Sequence, residues 1–308
     1  MSRHPLPEPV ADVLSARVAG RHLSLTTSGT TGTPRTIRRT TESWWASFGA
    51  YSDLTGVGPG ARVWIPGPLS ATMNLFAAVH AQESGASVVS RPEDATHACL
   101  TPTALDRQGD RLPRATRVVV AGGALSPALH ARSTGSGLDV TSYYGAAELS
   151  FVAAGAHAHD LRAFPGVDIE IRDETIWVRS PYLAEGIGPW ATVGDCGRLD
   201  GDRLVVLGRP GTATTAGATV SLAAIETTLQ GRARAPLAVV ALPHAGLGEI
   251  VAVALDPRDL DDVRQAAREL LPEAQRPRRW HSVSALPVTD AGKIDHAAVR
   301  ALLAAVSR

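Results

Sequence analysis

Short apolar runs alternate with stretches of helix length, and this alternation constrains the fold of the first half of the chain. Residues 62–66, 86–89 and 117–121 are compact and rich in valine or isoleucine, as in strands that a sheet buries on both faces. The intervening segments, such as residues 126–132, are long enough for crossover helices, and Pro127 suits a first helical turn. Strands alternating with helices predict a layered α/β domain.

The pattern changes at Ile169, where two hairpins are indicated. Residues 169–180 read as paired strands around an Asp-Glu turn, and residues 197–209 carry an Asp200-Gly201 hairpin signal. This β-rich segment closes the N-terminal domain.

A second unit is indicated from about Gly208. Apolar runs at 237–242 and 249–255 predict strands, and the charged stretch 260–271 predicts a helix. A last helix follows Asp295, a plausible N-cap. Its i, i+3, i+4, i+7 spacing predicts burial of four apolar side chains: Val299, Leu302, Leu303 and Val306. We therefore predict a layered α/β N-terminal domain with a β-rich close, residues 1–208, and a small α+β C-terminal domain, residues 209–308.

Charge, cysteine content and hydropathy exclude several function classes. Thirty basic and thirty acidic residues cancel, so nucleic acid is not expected as the main partner. Cys99 and Cys196 lie far apart and outside any metal-type spacing, so no disulfide framework is expected. The first residues lack the long apolar region of a signal peptide, and no run is long enough to cross a bilayer. A cytoplasmic protein without membrane contact is the expectation.

The segment 25–35, LTTSGTTGTPR, carries the strongest chemical signal. Hydroxyl side chains and glycines fill six consecutive positions: Thr27, Ser28, Gly29, Thr30, Thr31 and Gly32. Such a composition disfavours helix and strand and favours a loop whose backbone N–H groups and hydroxyls wrap phosphate oxygens. Arg35 adds positive charge, but no Gly-Lys-Ser/Thr follows, so this is not a Walker A loop. Taken alone, a Ser/Thr/Gly-rich surface linker explains the same residues.

Further motifs follow this phosphate loop in order. Gly122, Gly123 and Ala124 come directly after the run 117–121, so the backbone there can approach a flat ligand at the carboxyl end of a strand. The motifs that follow are YYGAAE from Tyr143 to Glu148, Gly194-Asp195, Gly208-Arg209, and the loop 289–295 that contains Lys293. The ordered series resembles the acyl-adenylate-forming superfamily of acyl-CoA synthetases, nonribosomal-peptide adenylation domains and luciferases. The resemblance extends from Leu23 almost to the end of the sequence.

The resemblance implies an ATP site. The phosphate loop and Arg35 would hold the β- and γ-phosphates of ATP. The remaining nucleotide contacts would come from Gly122, Gly123, Ala124, Tyr143 or Tyr144, Gly145, Asp195 and Arg209. An aromatic ring of the Tyr143-Tyr144 pair would stack on the adenine, and the two carboxylate oxygens of Asp195 would accept from both ribose hydroxyls.

The resemblance also implies the catalytic groups. Glu148 would help to hold Mg²⁺, a cation that prefers carboxylate and phosphate oxygens. Lys293 is similar to the catalytic lysine of the C-terminal domain, where a cation stabilises the charge that develops as a carboxylate attacks the α-phosphate. Residues 1–208 would then be the adenylation core and residues 209–308 a mobile domain that turns about the hinge residue Gly211.

The sequence departs from the family pattern at several positions. Arg35 stands where lysine is usual, Ala147 where a threonine contacts the α-phosphate, and Gly211 where the hinge has aspartate. The phosphate loop begins at Thr27, whereas typical relatives carry a preceding subdomain. Short relatives of actinobacterial o-succinylbenzoate–CoA ligase share that early start. An uncovered apolar face bordered by Trp44, Trp45 and Phe48 would favour a homodimer.

Three functions remain open at this point. The first is ATP-dependent activation of a small carboxylic acid to acyl-AMP, followed by thioester formation with coenzyme A. The second is a stand-alone ligase that loads the phosphopantetheine arm of a carrier protein. The third is a degenerate member that binds nucleotide or acyl ligand without turnover. Small apolar walls at 70–75 and 142–152 favour an aromatic or medium-sized apolar acid. The stretch His157-Ala158-His159-Asp160 reads as a polar surface loop, because no third ligand with metal-type spacing accompanies it.

Overall fold

The computed structural model describes residues 7–27, 35–208, 211–288 and 294–306. It divides into two compact units, the first ending at Leu207 and the second beginning at Gly208.

The first unit combines six helices and thirteen strands within its described residues. The helices are α1 (Glu8–Val18), α2 (Thr41–Trp45), α3 (Phe48–Thr55), α4 (Thr72–Glu83), α5 (Pro102–Gln108) and α6 (Pro127–Gly135). The strands are β1 (Leu23–Thr27), β2 (Arg35–Arg39), β3 (Arg62–Trp64), β4 (Ser87–Val89), β5 (His97–Leu100), β6 (Arg117–Val120), β7 (Asp139–Ala146), β8 (Ser150–Gly155), β9 (Leu161–Ala163), β10 (Asp168–Arg172), β11 (Thr175–Arg179), β12 (Cys196–Asp200) and β13 (Arg203–Gly208).

Eleven of the described strands form one sheet. Five of them run parallel in the order β4-β3-β5-β6-β7. The sheet continues through β8, β9, β13, β12, β11 and β10, with antiparallel pairing from β7 to β8 and on to β9 and β13. The separate hairpin of β1 and β2 pairs Leu23 with Arg39 at one end and Thr27 with Arg35 at the other.

Helices cover both faces of the parallel strands, as the alternating runs predict. On β6, Val119 lies in a cluster with Phe76 of α4, whereas Val118 and Val120 lie in a second cluster with Leu129 of α6. Successive residues of a strand point to opposite faces, so β6 is buried on both. Ser126 caps α6 by accepting a hydrogen bond of 3.2 Å from the Leu129 N–H group, which places Pro127 in the first turn as predicted.

The predicted burial is wrong for residues 86–89. Residues 87–89 of this run form β4, but β4 is the edge strand of the sheet, and Val88 is 52% exposed. A short apolar run indicates a strand, while its place in the sheet depends on crossovers that the run itself does not encode.

The two predicted hairpins are present. Asp173 and Glu174 both have positive φ values, 46° and 62°, as a tight two-residue turn between β10 and β11 requires. Between β12 and β13 the turn occupies residues 201–202, one residue later than the predicted Asp200-Gly201 pair, with Gly201 at φ +62°.

The aromatic segment near α2 packs inside its own unit. Trp44 is buried and meets Phe76 edge to face at 5.3 Å. Trp45 stacks on Phe48 at 4.8 Å, and its ring nitrogen donates a hydrogen bond of 3.0 Å to Glu83 of α4. Trp44 is therefore part of this unit's own core, whereas Trp45 and Phe48 are only partly buried. A homodimer stays a prediction without an assigned surface.

The second unit is a smaller α+β assembly. Its described helices are α7 (Leu222–Gln230), α8 (Leu260–Leu270) and α9 (His296–Val306). Its described strands are β14 (Thr212–Thr215), β15 (Ala218–Ser221), β16 (Ala238–His244), β17 (Gly248–Leu255) and β18 (Arg279–Ser282). The sheet order is β15-β14-β17-β16, and β18 pairs in parallel with β17.

Helix α9 begins as the sequence predicts but buries a narrower stripe. Asp295 accepts a hydrogen bond of 2.9 Å from the Ala298 N–H group, which is the geometry of an N-cap. Val299 and Leu303 are buried against β16 and β17, whereas Leu302 and Val306 are 42% and 68% exposed. Their predicted burial is wrong because α9 contacts the sheet through one i, i+4 row. Among all described helices, none has the length and apolar character needed to cross a membrane.

Candidate active site

The candidate site lies at the carboxyl edge of the parallel strands. Strands β3, β5, β6 and β7 run in one direction, so their carboxyl ends meet at one edge of the sheet. The motif Gly122–Gly123–Ala124 follows β6 there. Gly122 has φ +74°, a conformation that favours glycine, and a side chain at this position would lie 3.1 Å from the sulfur of Met73. The predicted pocket wall at 70–75 is therefore next to this motif.

The next strand delivers the two tyrosines to the same edge. Tyr143 packs on Phe151 with ring centroids 4.7 Å apart, and burial raises the pKa of its hydroxyl well above the ordinary value. The Tyr144 hydroxyl instead donates a hydrogen bond of 2.8 Å to Oδ2 of Asp195. The structure thus brings together two predicted nucleotide-binding residues from separate motifs.

Gly145 follows where the pairing of β7 with β8 shifts register. A side chain at Gly145 would lie 2.0 Å from the Ser150 carbonyl oxygen, so only glycine fits. Ala147 and Glu148 follow in the turn between β7 and β8. The Glu148 carbonyl oxygen accepts a hydrogen bond of 2.8 Å from the Ala184 N–H group, which anchors the candidate metal-binding residue.

Asp195 is held in place through its backbone. Its carbonyl oxygen accepts a hydrogen bond of 2.8 Å from the Ile176 N–H group of β11. The preceding Gly194 has φ +80° and donates to the Thr192 hydroxyl at 3.0 Å. A tight turn therefore directs the carboxylate toward Tyr144 rather than along the sheet.

The phosphate loop is joined to the β1–β2 hairpin. Thr27 ends β1, Arg35 begins β2, and the two residues pair across the hairpin. The predicted loop residues Ser28, Gly29, Thr30, Thr31 and Gly32 lie outside the described residues, as do Arg209 and Lys293. Gly211 is described, with φ +69°. The roles that the sequence predicts for these residues stay predictions.

One residue beside this site belongs to none of the sequence motifs. Arg39, the last residue of β2, is completely buried. Its Nη1 donates to the Ala147 carbonyl oxygen at 3.1 Å, its Nε to the Ser43 hydroxyl at 3.1 Å, and its Nη2 to the Tyr182 carbonyl oxygen. The signal in the sequence is the pair Arg38-Arg39 in a strand, since alternation must turn one of the two inward.

A cavity of about 160 Å³ lies elsewhere in the first unit. It is lined by residues near the amino ends of the parallel strands, including His97, Arg117 and Asp139. Burial raises the pKa of Cys99, also in its lining, to about 12, so this thiol is protonated and a poor nucleophile at neutral pH. The carboxyl-edge motifs are not part of this cavity.

The histidines at 157 and 159 do not form a metal centre. Their rings lie 6.2 Å apart, and His130 meets His157 at 5.6 Å. In the described parts of the chain no group of three or more histidine, cysteine, aspartate or glutamate side chains is arranged to hold a metal ion.

Comparisons with known proteins place this fold among adenylating enzymes. None of the protein-family models searched matches the sequence. An uncharacterized acyl-CoA ligase of Bacillus subtilis, YhfT, is 27% identical over 320 residues, which cover 89% of this chain and 67% of the relative. The solved amide bond synthetase McbA from Marinactinospora thermotolerans is 29% identical with a TM-score of 0.75, covering 91% of this chain and 68% of that one. The sequence and fold of this chain are similar to those of acid-activating ligases of the acyl-adenylate-forming superfamily.

A third comparison supports this superfamily's fold. The o-succinylbenzoate CoA synthetase of Bacillus subtilis superposes with a TM-score of 0.74 over 90% of this chain and 69% of that one, at 20% identity. In each comparison the chain spans about two thirds of the relative's length. The resemblance read from the motifs is confirmed, and so is the predicted α/β fold class.

Proposed function

We propose that the protein activates a carboxylic acid as its acyl-adenylate. The acid's carboxylate attacks the α-phosphorus of ATP, the bond to the β-phosphate breaks, and pyrophosphate leaves. A thiol, that of coenzyme A in the leading case, then attacks the acyl carbon and displaces AMP. The observation that carries the proposal is the contact between Tyr144 and Asp195 beside Gly122 at the carboxyl edge, since open α/β sheets bind ligands there.

Each described residue has a chemical reason for its proposed part. Gly122 and Gly123 carry no side chain that would cover the backbone at the carboxyl edge, so a flat base can approach it. Asp195 offers two acceptor oxygens to the ribose hydroxyls. The Tyr144 ring lies beside that carboxylate through its own hydrogen bond, so adenine stacked on the ring would place the ribose near Asp195.

A single carboxylate fits the magnesium ion that such chemistry uses. Mg²⁺ is usually held by one or two carboxylates together with substrate phosphates and water, rather than by a cage of protein ligands. Glu148 is a single carboxylate, and the described residues contain no group of three or more side chains arranged to hold a metal ion. One carboxylate together with ATP phosphates and water matches the ligands that Mg²⁺ prefers. When bound, Mg²⁺ would offset the charge of the phosphate oxygens.

Lys293 supports the proposal from the sequence. It is the only lysine in the 308-residue chain, in which every other permanently cationic side chain is arginine. Lysine carries a compact, mobile ammonium group, whereas arginine presents a planar fork. A chain that uses arginine elsewhere but lysine at the family's catalytic position is consistent with a chemical need for an ammonium group there.

The two half-reactions need different surroundings for one acyl group, and a moving second unit would provide them. We propose that residues 209–308 turn relative to residues 1–208 between adenylation and transfer. Gly208 and Gly211 flank this junction with φ values of +90° and +69°. No side chain restricts either glycine, so both tolerate large dihedral changes.

The residues around Gly122 indicate a class of acid, and the chemistry of the transfer step indicates the kind of acceptor. The neighbouring Met73 and the small residues of β7 favour an aromatic or medium-sized apolar acid. Coenzyme A and a carrier-protein arm present the same thiol. A second candidate is an amine acceptor, which would make the product an amide. The similarity to an amide bond synthetase, 29% identical, favours it.

One assay separates these functions. Pyrophosphate release is measured with ATP and a panel of aromatic and medium-chain acids. Coenzyme A, a phosphopantetheinylated carrier protein or a primary amine such as phenethylamine is then added, and the product is identified by mass spectrometry. We expect acid-dependent pyrophosphate release and a coenzyme A thioester, with Asp195→Ala as a control whose ATP binding is weakened. An amide instead would select the second candidate. ATP binding without pyrophosphate release for any acid would leave a nucleotide-binding homologue.

A further inference from the structure

The buried guanidinium of Arg39 is the feature that the proposed chemistry leaves unexplained. Arg39 is 0% exposed, and burying a charge requires strong compensation. In the described part of the chain no carboxylate forms an ion pair with it within 4 Å. Its hydrogen-bond partners are two main-chain carbonyls and one hydroxyl, and its guanidinium carbon lies 5.8 Å from the ring centroid of Trp44. An apolar side chain fills such a space at lower energetic cost, so the charge itself needs a reason.

Arg39 donates hydrogen bonds to the two chain segments that meet at Glu148. Its Nη1 donates to the carbonyl oxygen of Ala147, the residue directly before Glu148. Its Nη2 donates to Tyr182, at the start of the segment whose Ala184 N–H group donates to the Glu148 carbonyl oxygen at 2.8 Å. A rigid fork thus fixes both sides of the turn at Glu148, and only arginine provides such a fork.

The charges agree with this geometry. Burial lowers the pKa of Arg39 to about 10, and the negative charge of Glu148 partly opposes that shift. Arg39 also ends the strand that leaves the phosphate loop, so it connects that hairpin to the candidate metal-binding turn.

We propose that Arg39 is a positioning residue that holds the Glu148 carboxylate in the orientation needed to bind the magnesium ion of Mg·ATP. This inference rests on the proposed function, in which Glu148 is the metal-binding residue. Groups that orient a metal ligand from behind typically change metal affinity by about 10–100-fold when they are replaced. Arg39→Lys keeps the charge but cannot donate to both carbonyls from one plane.

The matched control lies on the same strand. Arg38 is exposed, and its guanidinium pairs with Glu185 at 3.3 Å. Arg38→Lys makes the same chemical change on the opposite face of β2 and leaves in place the hydrogen bonds that Arg39 donates to Ala147 and Tyr182.

The experiment measures binding of a fluorescent ATP analogue as free Mg²⁺ is varied, with no acid present. For Arg39→Lys we expect the Mg²⁺ concentration at half-saturation to rise about 10–100-fold, with affinity in the absence of Mg²⁺ unchanged. Arg38→Lys should shift it by less than about twofold. An unchanged Mg²⁺ midpoint in Arg39→Lys, or an equal shift in Arg38→Lys, overturns the proposal.

Two further measurements separate positioning from general damage. In Glu148→Gln the Mg²⁺ midpoint should rise, and adding Arg39→Lys should raise it no further, because both changes remove one interaction. Additive shifts would mean that Arg39 acts elsewhere. Amide hydrogen exchange should be faster at 147–150 and 182–184 in Arg39→Lys and unchanged there in Arg38→Lys. Unchanged exchange there contradicts positioning even if no acid is ever activated, so the two proposals fail separately.

Discussion

The Tyr144 hydroxyl donates a hydrogen bond of 2.8 Å to Asp195, which lies 51 residues further along the chain. The contact joins the strand β7 to the turn that precedes β12. The proposed base-stacking ring and the proposed ribose acceptor are therefore hydrogen-bonded to each other, so changing either residue should disturb nucleotide binding.

Tyr144→Phe removes the hydroxyl and keeps the ring. We expect the KM for ATP to rise about tenfold, the size of one hydrogen bond to a charged group, with a smaller change in kcat. Tyr143→Phe is the matched control on the same strand. Steady-state pyrophosphate release at varied ATP checks both variants, and an equal effect of Tyr143→Phe would show that the hydroxyl of Tyr144 has no special part.

Asp195→Asn keeps the size of the side chain and removes its charge. Because two ribose hydroxyls would lose a charged acceptor, we expect ATP binding to weaken by roughly 1.5–3 kcal/mol. The control Asp200→Asn lies at the far end of the adjoining strand β12, where the carboxylate is exposed and 3.9 Å from Arg198. Isothermal titration calorimetry measures both, and an unchanged affinity in Asp195→Asn would remove this residue from the ribose site.

His80 predicts how stability depends on pH. It is completely buried in α4, its Nε2 lies 2.9 Å from the Ser52 hydroxyl, and burial lowers its pKa from 6.5 to about 4. The unfolded chain therefore binds this proton at a higher pH than the native protein does. Neutral His80 therefore adds to the free energy of unfolding above pH 6.5. This contribution, on the order of 3 kcal/mol, is lost as the pH falls toward 4.

Urea unfolding at pH 7.5 and pH 5 checks this expectation. The wild-type protein should lose more stability on acidification than His80→Gln, which has no proton to gain at that position. His159→Gln, a change in the surface loop at 157–160, should behave like the wild type. An equal loss in all three proteins would assign the acid sensitivity to other groups.

The order of elements was readable from the sequence because it depends on local periodicity and turn chemistry. The runs at β3 and β6, the hairpin at Asp173 and the N-cap at Asp295 all express short-range preferences. The edge position of β4 and the exposure of Leu302 depend on which elements become neighbours. Contacts between residues far apart in the chain determine whether a strand lies at the edge of a sheet and whether a helix residue is buried. The local sequence pattern is the same for an edge strand and a central one.

The site was readable in part for the same reason. Motif order identified Tyr144 and Asp195, yet their contact depends on the course of the chain over 51 intervening residues. Arg39 carries no motif at all. Its importance follows from complete burial and from its distant partners Ala147 and Tyr182, which only the folded chain brings together.

Lys293 offers the sharpest test of the mechanism, because it is the only lysine in the chain. Lys293→Ala should slow adenylate formation by about 10²–10³-fold, the usual effect of removing one group that stabilises transition-state charge. Transfer from a supplied acyl-AMP to coenzyme A should stay near the wild-type rate, since a turned second unit would carry this residue away from the acyl group.

Reductive methylation provides a second version of the Lys293 test without a substitution. It modifies only Lys293 and the α-amino group, and it keeps the positive charge while changing the size of the ammonium group. We expect the methylated protein to lose adenylation, and the Lys293→Arg variant, which also keeps the charge, to recover little of it. Methylated Lys293→Ala controls for the α-amino group. If Lys293→Ala slows both half-reactions equally, Lys293 serves both conformations or supports the fold, and the proposed division of labour between the two units is wrong.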